Sequence, residues 1–277
     1  MKNSPIGIFD SGIGGLTVAH ALKEQMPNES IIYFGDTKHL PYGEKSEKSI
    51  INFSGEIALF LLQKKCKAII IACNSSSSVA YNSIRRIAQI NPRKISPTQS
   101  FNATVFNVID PVVQYINNNC KDSIIGVIGT KATIKSNIYS KKIKKGNNNQ
   151  EIRSLATPLL APMIEEGFIN GEISKTIISN YIRNPILKDI ENLILACTHY
   201  PLIQKEIHQL YRNKVNVIDS VNIVAESIST SLQALNLLTD TKQSEYHFYV
   251  SNYTKSFEKS ARFFFQEEIQ LKEINPH

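Results

Sequence analysis

Short apolar runs that end in polar residues alternate along this chain with segments of helical periodicity. An aliphatic run of about four to six residues with a polar exit is typical of a buried parallel strand. Eight segments follow this pattern, at residues 6–10, 31–35, 68–73, 104–108, 124–129, 193–197, 215–219 and 247–251. Helical patterns lie between and after them, at 16–25, 45–64, 79–90, 111–118, 133–145, 173–183, 203–211, 223–238 and 254–265. This alternation predicts an α/β fold in which mostly parallel sheets are flanked by helices.

A faint internal repeat predicts two similar α/β domains. Residues 7–12 (GIFDSG) open the first half and residues 126–131 (GVIGTK) open the second, and a strand that ends in cysteine follows in each half. The polar segment 91–102 contains two prolines and is typical of a linker. We expect a discontinuous first domain over 1–97 plus 212–277 and a second domain over 98–211. The active site is expected in the cleft between them.

Two of the apolar runs end in nearly the same way. Residues 69–74 read IIIACN and residues 193–198 read LILACT, so Cys73 and Cys197 each lie at the carboxyl end of a predicted strand. Ligands of open α/β sheets bind at that edge. A single buried cysteine most often serves packing alone, and we keep that interpretation for Cys66 and Cys120. The repeated setting favours a pair of thiols on opposite sides of one substrate.

The composition limits what kind of protein this chain can be. Its 277 residues, 42% hydrophobic and 20% charged, are typical of an ordinary globular protein with a real core. No apolar run approaches the roughly 18–20 residues that a membrane span needs, and the apolar stretch at the start is too short for a signal peptide. Four cysteines without disulfide-type spacing predict free thiols and a cytoplasmic location.

The charge pattern argues against several binding functions. A net charge of +7 attracts anions in general, but the densest basic run, KKIKK at 141–145, lacks the aromatic residues of a nucleic-acid surface. We interpret it as a solvated helix face and expect no nucleic-acid partner. A dinucleotide fingerprint would need glycine where Thr17 stands. The spacing of Cys197 and His199 does not match a zinc site, so we expect no metal.

The residues that follow the two cysteines suit proton transfer. Asn74 and the serines after it are N-capping residues, which predicts that Cys73 lies near a helix N-terminus, where the pKa of a thiol is lowered. His199 follows Cys197 by two residues and would hold that thiol as a thiolate or relay its proton. A packed histidine that bonds the loop is the alternative.

Two further loops carry candidate ligand-binding groups. The turn after the first strand presents Asp10 and Ser11 beside a helix N-terminus, where backbone N–H groups favour an anion. The loop after the second strand presents Tyr42 and Gly43. A purely structural turn explains this second loop equally well.

Together these motifs resemble the glutamate racemase family. They are GIFDSGIGGLTV at 7–18, YFGD at 33–36 with PYG at 41–43, ACN at 72–74, GVIGT at 126–130 and ACTHYPL at 196–202. The resemblance spans residues 6 to about 265. It implies a cofactor-independent, cytoplasmic bacterial enzyme, often dimeric, that supplies D-glutamate for peptidoglycan.

The resemblance also implies roles for particular residues. Cys73 and Cys197 match the two catalytic acid/base cysteines of the family, and Asp10 and His199 match groups that assist them. The positions implied to bind substrate are Asp10, Ser11, Tyr42, Gly43, Asn74, Ser75, Thr130, Thr198 and His199.

Some positions depart from the family pattern or leave a choice. Glu165, in the segment PMIEEG at 162–167, resembles a family carboxylate near the histidine, but Glu166 beside it is an alternative. Ser75 stands where the family usually has threonine, so the hydroxyl is kept and the methyl group is lost. Neither departure removes a proposed catalytic group.

We therefore expect racemisation of L-glutamate to D-glutamate by two cysteines in a homodimer, without cofactor or metal. Three alternatives remain open. An aspartate racemase would use the same pair of thiols, a binding protein would only pack them, and a thiol hydrolase would need one of them. The sequence leaves open which cysteine acts on which enantiomer.

Overall fold

The fold is seen in a computed structural model that describes residues 2–90, 103–147, 149–241 and 244–276. The predicted linker at 91–102 lies outside the described residues. Ten strands are present in the described parts of the chain. They are β1 Ile6–Asp10, β2 Ile31–Gly35, β3 Ala68–Ile71, β4 Thr104–Asn107, β5 Ile124–Gly129, β6 Glu151–Ala156, β7 Asn192–Ala196, β8 Asn216–Ile218, β9 Tyr246–Val250 and β10 Leu271–Glu273.

The helices of the described residues lie between these strands. They are α1 Leu16–Gln25, α2 Glu47–Gln63, α3 Asn74–Val79, α4 Tyr81–Ile90, α5 Ile109–Asn119, α6 Lys131–Ser136, α7 Ile138–Gly146, α8 Leu160–Glu165, α9 Glu172–Ile182, α10 Gln204–Leu210, α11 Ser220–Ala234 and α12 Lys255–Phe265. Short 3-10 helices cover Tyr42–Glu44, Pro185–Leu187 and Tyr200–Ile203. None of the helices in the described residues is long and apolar enough to cross a membrane.

The strands form two sheets, and every pairing within them is parallel. The first sheet has the order β10-β9-β2-β1-β3-β4 and the second the order β6-β5-β7-β8. Below, each sheet with its helices is called the first or the second half. The predicted α/β class is confirmed, because continuous apolar runs such as β1, β3 and β7 are buried on both faces by flanking helices.

Strand pairing divides the chain differently from the predicted domain boundaries. β4 pairs with β3 in the first sheet, and β8 pairs with β7 in the second. Boundaries at 97/98 and 211/212 place each of these strands in the opposite half. Sheet membership depends on which neighbour a strand pairs with, which the local pattern of a short strand does not specify. The division into two domains itself stays a prediction.

Several elements were not predicted, or differ from their predictions, for identifiable reasons. β6 is partly exposed along its length and half of its residues are polar, and β10 has three residues. The helix predicted over 133–145 is two helices, because Asn137 adopts a left-handed conformation with φ 57° between α6 and α7. Asparagine tolerates that conformation better than most residues.

Two helices carry the chain between the halves. α5 follows β4 and leads into β5, while α11 follows β8 and leads back to the first half. The two helices pack against each other, and a single apolar cluster contains buried residues from both halves. The carboxyl ends of the central strands are thereby brought towards one another at the junction of the halves.

Candidate active site

A cavity of about 240 Å³ lies at this junction. It lies at or just below the small end of the range that ligand pockets usually span, so it suits a compact molecule. Both halves contribute to its wall. The residues that line it are Ser11, Gly12, Leu40, Pro41, Tyr42, Gly43, Cys73, Asn74, Ser75, Thr130, Ala161, Pro162, Glu165, Cys197, Thr198 and His199.

Cys73 follows β3 and lies at the N-terminus of α3, as the sequence predicts, but Cys73 itself, rather than Asn74 or a serine, is the N-cap residue. Its Sγ accepts a hydrogen bond from the Ser76 N–H at 3.5 Å and donates one to the Ser11 hydroxyl at 3.6 Å. The predicted lowering of its pKa is wrong. Burial, reinforced by the charge of Asp10, raises the pKa of the Cys73 thiol to about 12 and outweighs the capping hydrogen bond.

Cys197 belongs to a chain of hydrogen bonds in the second half. It follows β7 directly, and its Sγ lies 3.6 Å from Nδ1 of His199. The other ring nitrogen, Nε2, lies 2.8 Å from Oε1 of Glu165. The neighbouring Glu166 is exposed on the protein surface. The fold therefore brings Glu165, rather than Glu166, to the histidine.

The environment of His199 favours its charged form. Burial alone lowers the pKa of the imidazole, but hydrogen bonds and charge from Cys197 and Glu165 together raise it well above its usual value. The ring of Phe264 packs edge-on against the imidazole, with 5.2 Å between the two ring centroids. At neutral pH the imidazolium therefore donates one proton towards sulfur and one towards the carboxylate.

Asp10 lies behind the cavity and does not line it. Its side chain is fully buried, and Oδ2 accepts hydrogen bonds from the N–H groups of Gly12 and Gly15 at 3.3 and 3.0 Å. Oδ1 has no hydrogen-bond partner among the described residues. Burial raises the pKa of this carboxyl, against the opposing charge of His199. In this conformation Asp10 acts on the site through its field and through the turn that it holds.

Small hydroxyl groups from the two halves meet on one wall of the cavity. The Ser75 hydroxyl lies 2.9 Å from that of Thr130, which caps α6 by accepting a hydrogen bond from the Thr133 N–H at 3.3 Å. The loss of a methyl group at Ser75, noted in the sequence, leaves this contact intact. These hydroxyls can donate to or accept from a polar ligand, as carboxylate binding requires.

The loop with Tyr42 and Gly43 closes the same wall. Tyr42 is buried and donates a hydrogen bond to Oδ2 of Asp36 at 2.5 Å. A Cβ atom on Gly43 would lie 2.7 Å from Cβ of Thr130, so glycine is required where this loop approaches α6. The loop is therefore an ordered part of the cavity.

The halves also meet at Thr198. This residue lines the cavity, and its carbonyl accepts a hydrogen bond from the Thr17 hydroxyl at 3.1 Å. This contact ties the segment after β7 to α1 of the first half.

The structure gathers eleven of the twelve predicted site residues around one cavity, and Asp10 is the exception. The lining residues that were not predicted as site residues are Gly12, Leu40, Pro41, Ala161 and Pro162, and the last four supply apolar surface. Pro41 belongs to the PYG motif. Ala161 and Pro162 lie on α8, the helix that also carries Glu165, and the sequence analysis singled out only Glu165 from this segment.

Two other groups of candidate residues lie away from the cavity. Cys66 and Cys120 are buried and do not line it, as expected for packing residues. His20, Glu24 and Glu267 lie close enough to hold a metal ion, but Glu267 is already paired with Lys23 at 2.5 Å.

Two α/β halves with parallel sheets thus meet at one small cavity lined by two thiols, and such a cleft between halves is a common place for a ligand site. Comparison with known families identifies the kind of protein. The family model described as Asp/Glu/Hydantoin racemase matches residues 16–228, and the chain belongs to this family. The family assignment suggested by the motifs is confirmed.

Individual relatives agree with this assignment. A glutamate racemase of Neisseria meningitidis serogroup C is 39% identical over 258 residues, covering 92% of this chain and 90% of the relative. A glutamate racemase of Aquifex aeolicus is 36% identical over 267 residues, covering 96% of each. The solved structure of glutamate racemase from Francisella tularensis, in complex with D-glutamate, superposes with a TM-score of 0.89 at 38% identity, covering 100% of this chain and 99% of that one.

Proposed function

We propose that this chain interconverts L- and D-glutamate with Cys73 and Cys197 as its two acid/base groups and without a cofactor. The observation that carries the proposal is the placement of both thiols on one compact cavity, each at the end of a strand from a different half. The relatives named above support glutamate as the substrate.

Racemisation needs two groups because the Cα proton leaves from one face and returns to the other. A single base would return the proton to the face from which it came. A thiolate on one side removes the proton while a thiol on the other side delivers its own, so the two sulfurs exchange protonation states in each turnover. A positioned acid or base of this kind typically contributes about 10²–10⁴-fold to the rate.

The surroundings of the two sulfurs differ. Cys197 lies 3.6 Å from Nδ1 of His199, an imidazole whose pKa is raised well above its usual value. Cys73 lies beside the buried Asp10 and rests as a neutral thiol. In one direction of the reaction, Cys197 removes the proton and Cys73 returns one. The reverse reaction starts from the opposite protonation state.

Polar groups around the cavity suit a dicarboxylic amino acid. The hydroxyls of Ser11, Ser75, Thr130 and Thr198 and the amide of Asn74 are placed to meet its carboxylates and ammonium group. Apolar residues close the remaining wall and limit access of water, which strengthens every electrostatic contact in the site. As the family resemblance implies, the product would be D-glutamate for peptidoglycan, made in the cytoplasm by a homodimer.

The test is a circular-dichroism racemisation assay with D-glutamate and D-aspartate, with no cofactor added. We expect the signal of D-glutamate to decay and that of D-aspartate to decay far more slowly. Deuterium exchange at Cα in D₂O is measured in parallel. Faster turnover of aspartate would replace the substrate in this proposal, and absence of exchange with either amino acid would favour a binding protein.

A further inference from the structure

Tyr139 makes a hydrogen bond that crosses from one half of the molecule to the other. It is the second residue of α7 in the second half, and its hydroxyl donates to Oδ1 of Asn74, on α3 in the first half, at 2.7 Å. The tyrosine side chain is 3% exposed. A buried phenol of this kind requires an acceptor for its proton, and Asn74 is that acceptor.

Asn74 stands between two spaces. On one side it lines the cavity that holds the thiols. On the other it borders, with Tyr139, a gap of about 10 Å³, which has room for one water molecule at most. Tyr139 lines this gap and is not among the residues that line the larger cavity.

The hydrogen bond fixes which end of the amide faces each space. Oδ1 is turned towards Tyr139, and Nδ2 makes no hydrogen bond to another of the described residues. A side-chain amide presents two N–H donors at one end and an acceptor at the other. Held this way, Asn74 offers donors to the cavity. Turned over, it would offer a carbonyl oxygen, which repels a carboxylate.

Tyr139 remains a donor throughout the working pH range. Burial, followed by the negative charges of Cys197 and Asp110, raises the pKa of its hydroxyl far above the usual value for tyrosine. A protonated phenol beside the amide oxygen keeps the same orientation in both directions of the reaction.

We propose that Tyr139 is a positioning residue that sets substrate affinity by orienting the Asn74 amide towards a carboxylate of the amino acid. This inference rests on the proposed function. A carboxylate away from Cα is bound alike before and during proton transfer, so the contribution of Tyr139 falls on KM more than on kcat.

The experiment is a double-mutant cycle with Tyr139→Phe, Asn74→Ala and the double variant, assayed for KM and kcat in both directions. We expect Tyr139→Phe to raise KM about 3- to 10-fold, as for loss of one hydrogen bond, with kcat changed less than about 2-fold. In the Asn74→Ala background the same substitution is expected to have no further effect. Tyr211→Phe is the matched control, because its hydroxyl meets the Ile182 carbonyl far from the cavity.

Two results would overturn the inference. One is an unchanged KM in Tyr139→Phe, and the other is an equal change with and without Asn74, which would indicate packing alone. Thermal melting of all variants separates loss of fold from loss of affinity. If the wild-type chain acts on aspartate in place of glutamate, the proposed substrate is wrong, and the same cycle on aspartate still decides the role of Tyr139, because both are dicarboxylates.

Discussion

Gly14 lies against His199 so closely that a side chain would not fit between them. A Cβ atom built on Gly14 would lie 2.4 Å from Cε1 and 2.5 Å from Nδ1 of the imidazole. The ring cannot easily withdraw, because Cys197 and Glu165 hold its two nitrogens. The turn after β1 therefore sets the position of the histidine in the other half.

Replacement of Gly14 by alanine is expected to displace His199 and lower kcat about 100-fold, because a shift of about 1 Å at a catalytic group has an effect of that order. Gly171→Ala is the control, since the nearest atom to its Cβ lies 3.9 Å away. Racemisation rates and melting temperatures of both variants are compared. Wild-type activity in Gly14→Ala would show that the loop adjusts freely.

The two thiols are tested by Cys73→Ser and Cys197→Ser. Serine keeps the shape of the side chain, but its hydroxyl is too weak an acid to exchange roles with a thiol, so each variant should lose at least about 10²-fold in kcat. Binding of glutamate, measured by calorimetry, should persist. Cys120→Ser changes a buried thiol outside the cavity and should retain activity. Racemisation at the wild-type rate by either of the first two variants would contradict a two-base mechanism.

Glu165 is expected to set the pH range of the reaction through His199. In Glu165→Gln one of the causes that raise the pKa of His199 is removed. The imidazolium is then lost at lower pH, so the alkaline limb of the kcat profile moves to lower pH and kcat at neutral pH falls about 10-fold.

The pH dependence of the protein's stability should shift in the same direction as that of kcat. Because the folded pKa of His199 is raised, its contribution is fully present below the unfolded value of about 6.5 and disappears as pH rises through the folded value. In Glu165→Gln the folded pKa of His199 is lower, so this contribution to the free energy of unfolding disappears at a lower pH. The exposed neighbour offers the matched variant Glu166→Gln, which should leave both profiles unchanged.

Asp10 is expected to keep Cys73 protonated. In Asp10→Asn the side-chain oxygen still accepts from the turn, but the charge that helps to raise the pKa of Cys73 is removed, so that pKa should fall below about 12. Alkylation by iodoacetamide as a function of pH reports the thiolate when the other three cysteines are replaced by serine. An unchanged or higher pKa would show that Asp10 does not act on Cys73 through its charge.

Local patterns in the sequence were sufficient to predict the strands that carry the chemistry. The runs before Cys73 and Cys197 are apolar because β3 and β7 are buried on both faces, and polar residues follow where those strands meet the cavity. The alternation of strands and helices was enough for the fold class. The motifs at the strand ends identified most of the residues around the cavity.

What the sequence did not predict depends on tertiary contacts. The raised pKa of Cys73 comes from burial beside Asp10, which outweighs the effect of the helix N-terminus that the sequence predicts beside this thiol. Tyr139 is not predicted as a functional residue, because its contact with Asn74 joins residues 65 positions apart in the sequence. The partners of β4 and β8 likewise depend on pairing between segments distant in sequence.

The unequal surroundings of the two sulfurs have a thermodynamic consequence. Enantiomers of an amino acid have the same free energy in water, so detailed balance requires equal kcat/KM for the two directions of a racemase. The contact of Cys197 with His199 and the burial of Cys73 beside Asp10 cannot make the enzyme favour one enantiomer at equilibrium. The difference between the two sulfurs can therefore change kcat and KM only together. The enantiomer with the lower KM also has the lower kcat, by the same factor.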